Sequence, residues 1–157
     1  MENKERKIMV AVDESEESMY ALSWCISNLI SDTKSNNKLV LLYVKPPPAV
    51  FSDAAGYIFS TEAIAAMEKY STELADSVME RAKVIFNNLN ATNINIERVI
   101  GIGDPKNVIC KAVHKLEADT LVMGSHGYGL IKRALLGSVS DHCAKYAKCP
   151  VVVVRQP

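Results

Sequence analysis

The chain lacks a charge surplus. Its 157 residues carry 18 Lys and Arg against 18 Asp and Glu, a formal net charge of +0. A general nucleic-acid binder would show a basic excess or a basic face, so that class is not expected, and nothing electrostatic would draw the chain to an anionic membrane. No apolar run approaches the ~18 residues needed to span a bilayer. The first seven residues, MENKERK, are charged and lead directly into an apolar run, which is not the pattern of a secretory signal. The expected location is the cytoplasm, with the nucleus also open. The four cysteines, Cys25, Cys110, Cys143 and Cys149, form no CxxC pair, and His142 beside Cys143 completes no zinc pattern. They are expected to be reduced thiols, chiefly small buried hydrophobes, with a redox role as the alternative. Internal repeats and low-complexity tracts are absent too.

What is present is an ordinary globular composition, 48% hydrophobic and 23% charged, at a length that suggests a single domain over residues 1–157. Lys7–Asp13, KIMVAVD, is a continuous apolar run ending in a carboxylate, the pattern of a buried parallel strand. DESEES follows, with Ser15 as a candidate N-cap and Glu14, Glu16 and Glu17 as first-turn acids. Met19, Leu22, Ile26 and Leu29 then recur at helical spacing. Ser31–Asn37 is a polar loop, and Lys38–Val44, KLVLLYV, a second buried strand. The triple proline Pro46–Pro48 fits neither helix interior nor central strand, so residues 45–60 are expected to be a mobile surface excursion.

Thr61–Leu89 carries a long helical pattern through Ile64, Met67, Leu74, Val78, Ile85 and Leu89. Its N-terminal part is a candidate extension of the excursion, since the whole would overhang a domain this small. Ile94–Ile100 is a third strand. Gly103-Asp104-Pro105 starts a helix, Asp104 as N-cap and Pro105 at its first position. Asp119–Met123 is a fourth strand, Ser138–Tyr146 a helix in which Ser138-x-x-Asp141 resembles a capping box, and Val151–Val154 a fifth strand. The β-α-β-α-β-α-β-α-β rhythm predicts a parallel five-stranded sheet with helices on both faces, an α/β doubly wound fold. In the order 3-2-1-4-5 the winding reverses between strands 1 and 4, where such sheets bind ligands beyond their carboxyl ends.

Asp13 ends strand 1, and Met123-Gly124 ends strand 4. From there the chain reads MGSHGYGLIKRALLGSVSDHC, with glycines at 124, 127, 129 and 137 and serines at 138 and 140. Glycine N–H groups can approach a phosphate closely, and a helix beginning at Ser138 would turn unpaired N–H groups and a favourable dipole toward an anion. The physical pattern leaves two readings equally open, a phosphate cradle or a tight turn followed by a cap. No GxxxxGK[ST] phosphate loop is present. The first strand-to-helix turn, Asp13–Glu17, has no glycine, so a dinucleotide fingerprint is missing where it belongs.

The spacing Gly124-x2-Gly127-x9-Gly137-Ser138 resembles the nucleotide-binding motif of the universal stress protein family. The likeness extends over nearly the whole chain, through the Asp13 strand, LLYV at Leu41–Val44, GDP at Gly103–Pro105, VMGSHG at Val122–Gly127, LLGSVS at Leu135–Ser140 and CPVVVV at Cys149–Val154. The triple proline looks like single-domain plant members. The resemblance implies a Rossmann-like fold of order 3-2-1-4-5 that binds ATP, ADP or AMP. It places Val12 and Asp13 at adenine and ribose, Val44 at the adenine edge, and Met123 and Gly124 beside the ribose and first phosphates. His126 and Gly127 would line the phosphate turn, and Gly137, Ser138, Val139 and Ser140 would hold the phosphates. Asp13 is expected to accept from ribose hydroxyls or to help hold Mg2+ through water; the plainer alternative is a strand end that caps the following helix. No catalytic residue and no direct metal ligand set is expected. The resemblance also implies a homodimer through Val151–Val154, whose four valines on an edge would otherwise invite uncontrolled pairing. Two functions stay open: a nucleotide-responsive dimeric switch in stress response, with at most slow ATP hydrolysis, or a nucleotide-independent chaperone or redox-linked interaction module.

Overall fold

A computed structural model describes residues 4–30, 36–46, 61–91, 94–125 and 137–157. The elements run β1 (Arg6–Val12), α1 (Glu16–Leu29), β2 (Asn37–Lys45), α2 (Thr61–Asn88), β3 (Asn95–Ile102), α3 (Pro105–Lys115), β4 (Thr120–Gly124), α4 (Ser138–Tyr146) and β5 (Val151–Val154). The five strands form one sheet of order β3-β2-β1-β4-β5, and every pairing is parallel. The expected α/β architecture and strand order are both present.

Alternate side chains of each central strand enter opposite cores, as the period of two requires. Ile8, Val10 and Val12 of β1 and Leu39, Leu41 and Tyr43 of β2 pack with α1 and α2. Met9 and Ala11 with Val40, Leu42 and Val44 pack with Ile109 and Val113 of α3 and Cys143 of α4. Burial on both faces explains why these strands are continuously apolar rather than alternating.

The helix α1 is fixed at both ends. Ser15 is its N-cap, the Oγ accepting from Ser18 N–H at 3.2 Å. At the other end Arg6 Nη2 donates to the Leu29 carbonyl at 2.7 Å, supplying a cation where α1 has no basic residue of its own. Helix α2 is continuous over 28 residues, about 42 Å at 1.5 Å per residue. Its buried residues are Ala75, Val78, Met79, Ala82 and Phe86, so only its second half is seated on the core. Its first half is regular helix, joined to β2 where Lys45 Nζ donates to Thr72 Oγ1 at 3.2 Å. The expected excursion over 45–60 lies, from residue 47, outside the described residues; Lys45 itself belongs to β2.

One local expectation is corrected. Ser138 is not a cap but the first residue of α4. Gly137 is the N-cap, without a side-chain bond, and the Asp141 carboxylate takes Lys145 Nζ at 3.2 Å instead of reaching back. Asp104 does occupy the N-cap of α3, with Pro105 in the first turn, but makes no side-chain cap bond. The turn before it depends on Gly103, whose φ of 137° lies where side chains are strained. Gly103 N–H continues the β2–β3 pairing to the Lys45 carbonyl at 3.0 Å.

Candidate functional site

Three segments meet where the sheet winding reverses, at the carboxyl ends of β1 and β4. The first is the β1–α1 turn. Asp13 Oδ1 accepts from Ser15 N–H at 2.8 Å and from the Ser15 hydroxyl. Ser18 Oγ holds the Asp13 main chain, accepting from its N–H and facing its carbonyl, both at 3.0 Å. Ser15 therefore links two tasks: it caps α1 and orients the Asp13 carboxylate. Asp13 is 1% exposed, and its second oxygen, Oδ2, has no hydrogen-bond partner among the described residues. Burial pushes the Asp13 carboxyl above the ordinary carboxylate value, against the lowering effect of the Ser15 and Ser18 bonds.

The second segment is the end of β4. A Cβ on Gly124 would lie 2.9 Å from the Glu17 carbonyl oxygen and 3.2 Å from Ser18 N. The glycine thus lets the end of β4 rest directly on the backbone of the first turn of α1. The third segment is the start of α4, which returns to β4 through one carbonyl. Gly137 N–H donates to the Ser125 carbonyl at 2.5 Å, and Ser140 Oγ donates to the same oxygen at 3.2 Å. Ser125 N–H in turn reaches the Val154 carbonyl of β5 at 3.2 Å. The two ends of the glycine-rich stretch are therefore neighbours in space. Among the described residues no side chain caps the first turn of α4, and the free N–H groups of a helix start suit an anion.

Among the expected site residues, Val12, Asp13, Met123, Gly124, Gly137, Ser138, Val139 and Ser140 lie on these three segments. The side chains of Val12 and Met123 are committed to the two cores, so these positions offer a ligand main-chain groups. Val44 is one strand away at the end of β2, its side chain also in the core. His126 and Gly127 lie outside the described residues.

Sequence reasoning did not single out Ser18, Ser125, Tyr43 or Arg81. Glu14 is not a first-turn acid, because α1 begins at Glu16; Glu16 and Glu17 do fill that role. The Glu14 carboxylate accepts from the Tyr43 hydroxyl at 2.9 Å, and its carbonyl accepts from Arg81 Nη1 of α2 at 2.7 Å. Beside this turn lies a cleft of about 360 Å³ lined by Glu14, Tyr43, Val44, Pro46 and the Gly103–Pro105 turn. It is mostly apolar with a few polar groups, the usual make-up of a small-molecule pocket.

The universal stress protein family matches residues 5–155. The chain belongs to that family. Relatives include the universal stress protein A-like protein of Arabidopsis thaliana, 29% identical over 99% of this chain and 93% of that protein. The universal stress protein PHOS32 of the same plant is 32% identical over 97% of this chain, which spans 65% of that longer protein. Among solved structures, a universal stress protein family member from Arabidopsis thaliana with AMP bound is 26% identical, with a TM-score of 0.67 over 97% of this chain and 92% of that one.

Proposed function

We infer that this universal stress protein binds an adenine nucleotide at the reversal between β1 and β4 and acts as a nucleotide-responsive dimeric switch in stress response. The observation that carries the reading is Asp13 Oδ2. A buried carboxylate oxygen without a partner is costly, and a hydroxyl donor would relieve it. A ribose supplies two such hydroxyls, and the neighbouring Oδ1 is already satisfied by Ser15. The AMP bound by the Arabidopsis relative has that ribose.

With the ribose at Asp13, the base extends toward Val44 and the cleft. The phosphates extend along Met123 and Gly124 to Gly137, Ser138, Val139 and Ser140, with His126 and Gly127 completing the turn. ATP, ADP and AMP all fit this assignment, and Mg2+ accompanies the longer phosphates through water rather than through a protein ligand set. The residues assigned here bind and orient; none is assigned to proton transfer, so turnover is slow or absent. Strand β5 is an edge of the sheet, and its valines pair with a second copy to give the homodimer in the cytoplasm.

Gly124 favours a second reading, since the contact with α1 gives that glycine a purely structural reason to exist. On that reading the chain is a nucleotide-independent chaperone or interaction module. Calorimetric titration of nucleotide-stripped protein with ATP and Mg2+, with GTP and NAD as controls, separates the two. Gly137 has φ −62° and ψ 155°, a conformation open to any residue, so Gly137→Val adds no backbone strain while filling the phosphate end. Adenine-selective binding lost in this variant supports the switch. A folded wild-type protein that binds no nucleotide at millimolar ATP supports the module.

A further inference from the structure

Away from the candidate nucleotide site, three of the four cysteines gather on the α3/α4 face of the sheet. Cys110 comes from α3, Cys143 from α4, and Cys149 from the segment leading into β5, and all three belong to one apolar cluster. The Cys110 and Cys143 sulfurs are 3.9 Å apart, although 33 positions separate them in the chain. Cys143 is fully buried, while Cys110 is partly open to solvent. The fourth cysteine, Cys25, is buried in the other core beneath α1.

We propose that Cys110 and Cys143 form a peroxide-responsive disulfide that staples α3 to α4. The two sulfurs are already in contact at 3.9 Å, and forming a bond of about 2.05 Å brings them roughly 1.9 Å closer. Exposure sets the order of events. A hydroperoxide meets Cys110 first, transfers one hydroxyl to its sulfur and leaves as water or alcohol with the thiol proton, giving a sulfenic acid. The Cys143 sulfur then attacks the Cys110 sulfur. The new S–S bond forms as the S–O bond breaks, and the departing hydroxyl takes the Cys143 proton as water. Two thiols have together lost two electrons to one peroxide.

Burial pushes the Cys143 thiol up to about 12, so it is not itself the residue that meets oxidant. Burial shields it from over-oxidation, and what fits it for the resolving step is its 3.9 Å contact with the Cys110 sulfur, since a thiol raised this far is a weak nucleophile toward anything more distant. Cys25, pushed up to about 12 by burial and in a separate core, is an internal control. The staple acts on the helix whose first turn carries Ser138–Ser140 and whose Ser140 holds the Ser125 carbonyl.

The test uses the full chain, treated with stoichiometric hydrogen peroxide, denatured, and assayed for free thiols and for peptide linkage by mass spectrometry. Two of the four thiols should disappear, the linked peptides should contain Cys110 and Cys143 from one chain, and dithiothreitol should restore all four thiols. In Cys110→Ser, a change at the partly exposed member of the pair, all three remaining thiols should persist under the same treatment. Four persisting thiols in the wild type, a sulfinic acid at Cys110, a Cys110–Cys149 link, or a link between two chains would overturn the proposal. The wild-type mapping decides it even if the variant fails to fold, and it decides it without any nucleotide present.

Discussion

Gly124→Ala measures how tightly the end of β4 is locked to the first turn of α1. The added methyl would sit 2.9 Å from the Glu17 carbonyl oxygen, 3.0 Å from its carbon and 3.2 Å from Ser18 N. All three neighbours are backbone, so no rotamer change relieves the overlap. Restoring ordinary contact requires β4 and α1 to separate by about 0.5 Å, an overpacking that typically costs about 1–3 kcal/mol. Replacing glycine by alanine also restricts the unfolded chain, which offsets about 0.4–1 kcal/mol. The net loss is of order 1–2 kcal/mol, a fall in melting temperature of roughly 2–8 °C for a domain of this size. Thermal unfolding followed by circular dichroism, with urea unfolding as a check on the slope, reads it directly. The displacement reaches further than stability, because Ser18 holds both main-chain groups of Asp13, so the variant should also bind adenine nucleotide more weakly. A melting temperature equal to or above wild type would refute the seating of α1 on Gly124.

Other expectations concern the same turn. Because burial raises the Asp13 pKa, the folded state favours the protonated carboxyl; the stability this gives is complete below the unfolded pKa and is lost as pH rises through the folded one. The ionised carboxylate therefore opposes folding at pH 7. Asp13→Asn should melt at or above wild type there, with the difference shrinking as pH falls through the Asp13 pKa, while its adenine-nucleotide affinity drops; a variant less stable than wild type at pH 7 and no less stable at pH 4 would contradict the sign. Ser15→Ala removes the α1 cap and one of the donors to Asp13 Oδ1, and should cost about 1 kcal/mol in urea unfolding. The β5 edge should pair two copies, giving a dimer mass by light scattering at micromolar concentration; a monomer would remove the pairing from the account.

The legible parts of this fold were those where one signal dominated. Uninterrupted apolar runs located β1, β2, β4 and β5 to within about two residues, because a strand packed on both faces, or half-buried like β5, carries no polar positions to blur it. The third strand runs on to Ile102 because Gly101 and Ile102 pair with Val44 and Lys45, a partner effect that a run ending in glycine conceals. In α2 the large apolar residues marked the helix but not its seat. The helix sits on Ala75 and Ala82 as well as Val78 and Phe86, small residues that allow close approach but carry little pattern. Asp13 stood out as an acid ending an apolar run. Ser125 did not, since its task is to lend a carbonyl to Gly137 and Ser140, and any residue has a carbonyl. The role of Glu14 depends on Tyr43 and Arg81, 29 and 67 positions away, and no local spacing encodes such a contact.

On the proposed function, one nucleotide joins the β1–α1 turn, the end of β4 and the start of α4. Backbone amide shifts in an isotope-labelled sample titrated with AMP test it most directly. Saturable shifts should concentrate at Asp13–Ser15, Val44, Gly124–Ser125 and Gly137–Ser140 and be absent with GMP at the same concentration. No shifts at millimolar AMP, or shifts gathered elsewhere on the sheet, would contradict it.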